Sequence, residues 1–497
     1  MNTPARSPRT RCAEQSQGTK PAEAESRLKR IGIDVGPSST DLVLLDGPTG
    51  CAHLRAPSGT DGITGVVEVL EHLRNNTVSL GDVRAVVVGS RFLIDCLDRV
   101  EGVARTGVIR FGLPASASVP PMMNWPAQLV GAIGSHVHLC HGGHDINGNE
   151  ISPLDMAEVT AALDRLVDAG ARSVAISSVF SPVRPSEELL AAEIVRMRYP
   201  QLRTSLSHEV GRLGLIGREN ATVLNAALVD VAETYFAQLG SCLESVGINA
   251  PVFLSQNDGT VVDIDYATRY PIRTFGSGMT NAMKGASVLS GHATCVVADL
   301  RDDQVSVGLL DHGFPRITSG STKVAGVQTN FRTPDVLVRD LRPHRGAGRK
   351  RYLGVIADAI AELIARVKPG FGELPVVVVG TGASLGPKSV DGASEVLVPA
   401  DAAFAHAIGA ASAQAGGEVD RVVPEATGPD DIRLSEARQE AIDRAVAAGA
   451  DPDSVQVAQI EQAPLKYMVR ARRIRVKAVG DLSLDAPTDG VGCVRDV

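Results

Sequence analysis

The chain has 497 residues, of which 44% are hydrophobic and 21% charged, so it is long enough for two or three domains with a large core. The net charge of −8 and the aromatic content of 3% argue against nucleic acid or an anionic membrane as its main partner. The seven cysteines form no CxxC pair, and no apolar run reaches the roughly 20 residues that span a bilayer, which together predict a cytoplasmic protein.

Residues 1–29 are rich in Pro, Ser, Arg and Glu and lack an apolar segment, so we expect a disordered tail rather than a secretory signal. From residue 30 onward, short apolar runs alternate with amphipathic stretches, which predicts an α/β protein. Predicted helices cover residues 61–74, 156–169, 185–199, 219–239, 282–289, 352–367, 399–414 and 434–448. Predicted strands cover residues 83–90, 107–114, 173–180, 204–210, 252–259, 375–383, 455–460 and 473–479.

The segment 30–45 predicts a β-hairpin with a tight polar turn. Small and hydroxylated residues form the turn, and an aspartate lies on either side of it. Hairpins of this kind are typical of sugar-kinase and actin-type ATPases, in which backbone N–H groups and hydroxyls face phosphate while an acid holds Mg²⁺ through water. The predicted phosphate-facing residues are Gly36, Ser38, Ser39, Thr40 and Asp41.

A second strand–turn–strand pattern covers residues 294–310 and resembles a coarse repeat of the first hairpin. Asp299 lies at the position that corresponds to Asp34. Duplicated hairpins predict two similar lobes with a cleft between them. The strand that ends near Gly380 and Gly382 supplies a further glycine turn for the nucleoside side of that cleft.

Four histidines lie within the nine residues 136–144. His136 and His138 alternate along a predicted strand and so point the same way, which makes these two and His141 and His144 a candidate site for a divalent metal. A hydrogen-bonded or substrate-facing wall is the second interpretation, and a purely structural role is the third.

Several polar residues lie on otherwise apolar elements. The segment 255–258 follows a buried strand at its carboxyl end, where α/β sheets place ligands. Ser207, His208 and Glu209 lie close to a predicted helix that carries Arg218. Asn220 and Asn225 on that helix fit either a pocket wall or a brace between helices.

With these segments in view, residues 30–481 resemble the A-subunit family of hydantoinases and 5-oxoprolinases. The most specific motifs lie at 142–155, 177–182, 206–212, 218–228, 254–259 and 329–332. The resemblance implies an α/β fold of the actin-like/sugar-kinase-like ATPase type, with two ribonuclease-H-like lobes and a small C-terminal α/β unit. The implied boundaries are 30–215 for the N-terminal lobe, 216–416 for the C-terminal lobe, and 417–497 for the small C-terminal unit and tail.

The resemblance also implies a hydrolase subunit that opens a cyclic amide or imide with ATP and Mg²⁺. Such subunits work as homo-oligomers or with a second hydantoinase-type subunit. Asp34 and Thr40 would handle the Mg-nucleotide, and Asp299 would position water. The implied substrate-side residues are His141, His144, Asp145, His208, Glu209, Arg218, Asn220, Asn225, Gln256, Asn257 and Asp258.

The chain departs from the family at both phosphate loops. The family's first loop reads Asp-x-Gly-Gly-Thr-x-Thr-Asp, and here Pro37 replaces the second glycine and removes an N–H donor. In the second loop, Arg301 and Asp302 stand where glycines would let the backbone approach phosphate. An alternative function is therefore a nucleotide-nonbinding family member that serves as a binding or scaffold partner, or a repurposed tailoring enzyme.

Overall fold

The computed structural model describes residues 29–483 except for 47–48, 77–79, 147, 302, 319, 345–347, 369, 371, 425–431 and 466–470. The predicted tail up to residue 28, the turn residue Asn147 and the loop residue Asp302 lie outside the described residues. Within the described part of the chain, no helix is both long and apolar enough to cross a membrane.

The first half of the chain contains eight strands and seven helices among the described residues. In chain order these are β1 Lys29–Val35, β2 Ser39–Asp46, β3 Thr49–Pro57, α1 Thr64–Asn76, β4 Val83–Ser90, α2 Phe92–Arg99, β5 Thr106–Leu113, α3 Ala127–Ile133, β6 Val137–His141, α4 Met156–Asp168, β7 Ser173–Ser178, α5 Ser186–Arg198, β8 Arg203–Leu206, α6 Ser207–Val210 and α7 Leu215–Ser245.

The second half continues the alternation. Its described elements are β9 Val252–Ser255, β10 Thr260–Asp263, α8 Ile264–Arg269, α9 Ser277–Ser290, β11 Cys295–Arg301, β12 Gln304–Asp311, β13 Phe314–Pro315, β14 Thr322–Val324, β15 Val327–Thr329, β16 Val336–Asp340, α10 Arg349–Val367, β17 Leu374–Val379, β18 Ala393–Leu397, α11 Ala405–Ala411, β19 Gln414–Pro424, α12 Ile432–Ala447, β20 Gln456–Pro464 and β21 Ala471–Gly480.

Three larger sheets organise the described residues. The first runs β20-β21-β19-β10-β9-β4-β1-β2-β3, and the second runs β13-β12-β11-β17-β18 with β16 on β12. A third, wholly parallel sheet runs β6-β5-β7-β8. The two predicted hairpins are β1–β2 and β11–β12, one in each of the first two sheets.

Helices α9 and α11 lie between the first two sheets, since α9 contacts β4, β11 and β17 while α11 contacts β1, β2 and β4. They approach each other closely. A Cβ on Gly285 would lie 1.9 Å from the Ala405 carbonyl oxygen, and one on Gly409 would lie 1.9 Å from the Asn281 carbonyl oxygen. Glycine is therefore required at both positions, and the close packing places the two hairpins on either side of one cleft.

The structure differs from the sequence-based prediction in two segments. The strand predicted for 204–210 ends at Leu206, after which Ser207–Val210 forms the short helix α6. The helix predicted for 399–414 is shortened to α11, and Gln414 begins β19 because it pairs with Thr260 of β10. Pairing with distant strands overrode the helix propensity of the alanines.

Candidate functional site at the cleft between the hairpins

The first hairpin places two buried carboxylates side by side. Asp34 on β1 is directly opposite Asp41 on β2, and the Gly36 N–H donates to the Ser39 carbonyl at 3.0 Å to close the turn. Arg55 on β3 donates to both oxygens of Asp41, at 2.6 and 2.8 Å. This hydrogen bond raises the pKa of Arg55, so the guanidinium remains charged.

The second hairpin buries the matching carboxylate. Asp299 on β11 lies opposite Ser306 on β12, and its Oδ2 is 3.0 Å from Nε2 of His406 on α11. Both side chains are buried, while Oδ1 of Asp299 has no hydrogen-bond partner. Gly380 packs against this carboxylate, because a Cβ there would lie 2.4 Å from Oδ1.

Arg301 crosses the cleft from the second hairpin to the first. Its Nη2 lies 3.2 Å from Oδ2 of Asp34, and its side chain is only 14% exposed. A Cβ on Gly36 would meet Nη2 at 2.3 Å, and one on Gly380 would meet the Arg301 Cγ at 3.0 Å. The guanidinium therefore occupies the space between the two turns, where the sequence predicted that a phosphate group would bind.

Each of these three acids already has a cationic or imidazole partner from the same chain. Asp34 pairs with Arg301, and Asp41 is held by Arg55. The imidazole of His406 hydrogen-bonds Asp299. A Mg²⁺ site needs carboxylate oxygens that can bind the ion directly or accept hydrogen bonds from its water ligands. Because the positively charged Arg301 stands between the two turns and pairs with Asp34, the residues present do not fit the Mg²⁺ that the resemblance implied.

The remaining predicted nucleotide residues have internal partners. The Thr40 hydroxyl is 2.9 Å from the Ser58 hydroxyl. The Gly380 N–H donates to the Ala402 carbonyl at 2.9 Å, and the Gly382 N–H donates to the Leu300 carbonyl at 2.8 Å. The second glycine turn is thus fastened to the base of the second hairpin. Ser38 lies at the turn, and the Ser39 hydroxyl is a buried group with no hydrogen-bond partner.

The structure does not support the predicted metal site at the four histidines. His141 lies 3.1 Å from Glu158, and the buried His144 lies 2.9 Å from Glu187, so the two rings face different carboxylates. His136 and His138 complete no cluster with them. Among the described residues, no group of three or more His, Cys, Asp or Glu side chains is arranged to hold a metal ion.

A polar cluster at the carboxyl end of the parallel sheet, beside α5, brings the predicted residues His208 and Arg218 together around Glu188, which the sequence did not single out. Glu188 accepts hydrogen bonds from the Ser207 hydroxyl at 2.5 Å and from His208, whose Nδ1 is 2.7 Å away. Burial alone would raise the pKa of Glu188, but the contacts with His208, Ser181 and Ser207 outweigh it and lower that pKa. The sequence signal for Glu188 was its place among the acids that begin the helix predicted for 185–199. Acids at that position usually indicate a solvent-exposed first turn.

Arg218 and Glu219 on α7 continue this buried network. Arg218 donates to the Ser207 hydroxyl at 2.9 Å and to the Ser178 carbonyl at 2.6 Å. Burial lowers the pKa of Arg218 to about 10, which still leaves it charged at neutral pH. Glu219 forms a buried ion pair with Arg110 of β5, a pair that the sequence did not indicate.

Asn220 and Asn225 brace neighbouring segments. Asn220 accepts from the indole of Trp125 at 3.1 Å and donates to the Gln328 carbonyl at 2.8 Å. Asn225 donates to the Ser205 hydroxyl and to the Arg269 carbonyl, each at 3.0 Å. Both side chains are buried, so the helix-bracing interpretation describes their contacts.

The other predicted substrate residues are dispersed. Asp145 caps its own turn by accepting from the Asn149 N–H at 2.9 Å, and Glu209 pairs with Arg269. Gln256 and Asn257 are buried beside the cleft helix α9, and Asp258 lies 2.9 Å from Lys477. Burial would raise the pKa of Asp258, but the nearby Lys477 ammonium and the Thr260 hydroxyl lower it.

Sequence comparison matches residues 30–199 to the hydantoinase/oxoprolinase N-terminal region and residues 218–335 to the hydantoinase/oxoprolinase domain. The chain belongs to the hydantoinase/oxoprolinase family. The two matches include both hairpins, together with Glu188 and Arg218 of the buried network, while Ser207 and His208 lie between the matched ranges. They confirm the resemblance seen in the motifs.

Two curated relatives match part of this chain. Caprolactamase subunit alpha from Pseudomonas jessenii is 28% identical over 272 residues, which cover 51% of this chain and 39% of that protein. The gamma subunit of acetophenone carboxylase from Aromatoleum aromaticum is 26% identical over 175 residues, covering 33% of this chain and 24% of that one. The matched segments thus span less than half of either relative.

Solved structures confirm the fold. The ATP-dependent caprolactamase of Pseudomonas jessenii superposes with a TM-score of 0.72 at 16% identity, covering 91% of this chain and 88% of that one. Nucleotide-free acetone carboxylase gives 0.65 at 13% identity, covering 92% and 88%. The family member described here therefore has the actin-like ATPase type of α/β fold that its motifs predicted.

Proposed function

We propose that this chain is the actin-like subunit of a hydantoinase-type enzyme that acts on the C–N bond of a cyclic amide or imide, with ATP as the activating co-substrate. The observation that carries the proposal is the cleft, into which Asp34 and Asp299 project from opposed hairpins around Arg301. Relatives named as an ATP-dependent caprolactamase and as enzyme subunits support both the chemistry and a hetero-oligomeric assembly.

In this cleft the chain's own groups would bind phosphate and move a proton. Phosphorylation of the amide oxygen by ATP would make the ring carbon open to attack by water. Arg301 would donate to the phosphate oxygens and offset the charge that develops there. Asp299, oriented by His406 through Oδ2, would accept the proton of the attacking water at Oδ1, the oxygen without a partner.

Coupled turnover is the test of this function. The full chain, alone and with a candidate second hydantoinase-type subunit, is incubated with ATP and a panel of lactams, hydantoins and cyclic imides while ADP release is measured. We expect ring-dependent ADP release that Asp299→Asn lowers at least about 100-fold, because a positioned base contributes on this order. Ser306→Ala, opposite Asp299 on the hairpin, is the matched control. Equal activity of Asp299→Asn and the native chain would contradict the assigned role.

One observation favours a second candidate, a nucleotide-nonbinding partner subunit. Through its contact with Asp34, Arg301 occupies the position between the turns that a phosphate group would take. Thermal denaturation separates the candidates, since a ligand at 100 times its Kd adds about 2.7 kcal/mol to the free energy of unfolding. If millimolar nucleotide leaves the midpoint unchanged, with and without Mg²⁺, the partner-subunit function replaces the first proposal.

A further inference from the structure

The two buried carboxylates of the first hairpin already face positive charges from within the chain. Asp34 and Asp41 each face a guanidinium, from Arg301 and Arg55 respectively. In an actin-type site such acids attract a divalent cation, which then neutralises the bound phosphates. Here that attraction is offset, because Asp34 and Asp41 are each paired with a guanidinium of the same chain.

We infer that Arg301 takes the place of the divalent cation, so that the cleft binds a phosphate group without Mg²⁺. This inference rests on the proposed use of a nucleotide and concerns how that nucleotide is held. The ligand chemistry is a phosphate ester, anhydride or free phosphate dianion. Arg301 is suited to it because a guanidinium offers two parallel N–H donors to phosphate oxygens and remains charged at any physiological pH.

Two further donors, one beside Asp34 and one on the first hairpin, lack partners. The side chain of Asn281 is only 2% exposed, and its Nδ2 makes no hydrogen bond. It lies beside Asp34, since a Cβ placed on Gly89 would be 2.4 Å from this Nδ2 and 3.4 Å from the Asp34 Oδ1. The buried hydroxyl of Ser39 is unpartnered as well. Buried polar groups are nearly always satisfied, so these atoms indicate space prepared for an acceptor such as a phosphate oxygen.

Binding requires only a side-chain movement. The group nearest to Gly36 is the far end of Arg301, whereas the backbone of the turn is fixed by its hydrogen bond between Gly36 and Ser39. A phosphate that enters between Gly36 and Gly380 would displace the guanidinium by a rotamer change and then share it with Asp34. A metal ion at that point would instead meet the positive charge of Arg301.

Titration calorimetry of the full chain with ATP tests the inference, once in excess EDTA and once in millimolar Mg²⁺. We expect the two dissociation constants to agree within about threefold, and Arg301→Ala to weaken binding in EDTA at least about tenfold. Arg301→Lys keeps the charge and is expected to retain part of the affinity. Arg339→Ala, an exposed arginine on β16, is the matched control and is expected to bind as the native chain does. Parallel titrations with ADP and inorganic phosphate show whether a nucleotide or free phosphate is the source of the bound group.

The outcomes separate this inference from the proposed function. Binding that is about tenfold or more tighter with Mg²⁺, or that is unchanged in Arg301→Ala, overturns the inference and leaves ATP use intact. No binding under either condition overturns both. If Arg301→Ala does not fold, as judged by circular dichroism, the comparison of EDTA with Mg²⁺ on the native chain decides the matter, together with Arg301→Lys.

Discussion

The cleft around Arg301 and the buried network around Glu188 are built from the same side-chain types but differ in how completely their carboxylates are satisfied. Both oxygens of Glu188 accept hydrogen bonds, from the backbone N–H groups of Ser178 and His208 and from the side chains of Ser207 and His208. All of these partners lie at one end of the parallel sheet. In the cleft, Arg301 instead reaches from one hairpin to the other.

This difference separates structural polar groups from groups prepared for a ligand. The network leaves neither carboxylate oxygen of Glu188 unbonded, so it fixes the positions of β7, α5, α6 and α7. The cleft leaves Oδ1 of Asp299 and Nδ2 of Asn281 without partners. An unsatisfied buried group costs free energy, and a binding site recovers that cost when its ligand arrives. Substitutions in the network should therefore change stability, and those in the cleft should change ligand response.

The largest effect is expected at the buried pair of Arg110 and Glu219, where both side chains are at most 1% exposed. Arg110→Met leaves the Glu219 carboxylate buried without its main counter-charge, and such losses cost about 3–5 kcal/mol. Urea denaturation measures the change. Arg203→Ala, which removes the exposed pair with Glu233, is the control and is expected to cost about 1 kcal/mol or less. If Arg110→Met costs no more free energy of unfolding than Arg203→Ala does, the buried pair of Arg110 and Glu219 does not have the stabilising role described here.

A smaller loss is expected for Glu188→Gln. The amide keeps the size of the side chain but replaces one acceptor oxygen by a donor, which then faces either the Ser207 hydroxyl or the N–H groups of His208. We expect the free energy of unfolding to fall by about 1–3 kcal/mol, the usual cost of a buried group left unsatisfied. Glu193→Gln on the outer face of α5 is the control, since its pair with Arg196 is exposed. Equal midpoints for the two variants would argue against the network.

The pH dependence of stability follows from the same carboxylate. Contacts within the network lower the pKa of Glu188 below its ordinary value of 4.5, so in the native state it binds its proton less readily than in the unfolded chain. Its stabilisation is therefore complete above pH 4.5 and is lost as the pH falls through the lowered native pKa. Glu188→Gln should flatten this acid limb in denaturation curves. If the free energy of unfolding of Glu188→Gln falls as steeply with decreasing pH as that of the native chain, the acid sensitivity comes from other groups, such as Glu418, whose pKa is also lowered.

The sequence predicted the hairpins well but could not predict the contacts between them. Alternating apolar residues and a polar turn are local signals, and β1–β2 and β11–β12 formed as expected. Glu188 looked like an ordinary helix-start acid, because its burial depends on α6 and α7 folding over it. The sequence identified Arg301 as a bulky residue in a glycine position. Only the packing of α9 against α11 brings it within reach of Asp34, which lies 267 positions away in the chain.

The smallest effect, but the most specific one, is expected from adding Mg²⁺ to Arg301→Ala in the absence of nucleotide. In the native chain Asp34 is paired, so Mg²⁺ should leave the thermal midpoint unchanged. Removing the guanidinium frees the Asp34 carboxylate beside the first turn, and a cation that binds there at about ten times its Kd would add about 1.4 kcal/mol of stability. Arg55→Ala makes the comparison sharper, because it removes the partner of the buried Asp41 while Arg301 stays paired with Asp34, and the Arg55 side chain itself is 34% exposed. A Mg²⁺ response in the native chain as large as in Arg301→Ala would show that the arginine does not stand in for the metal.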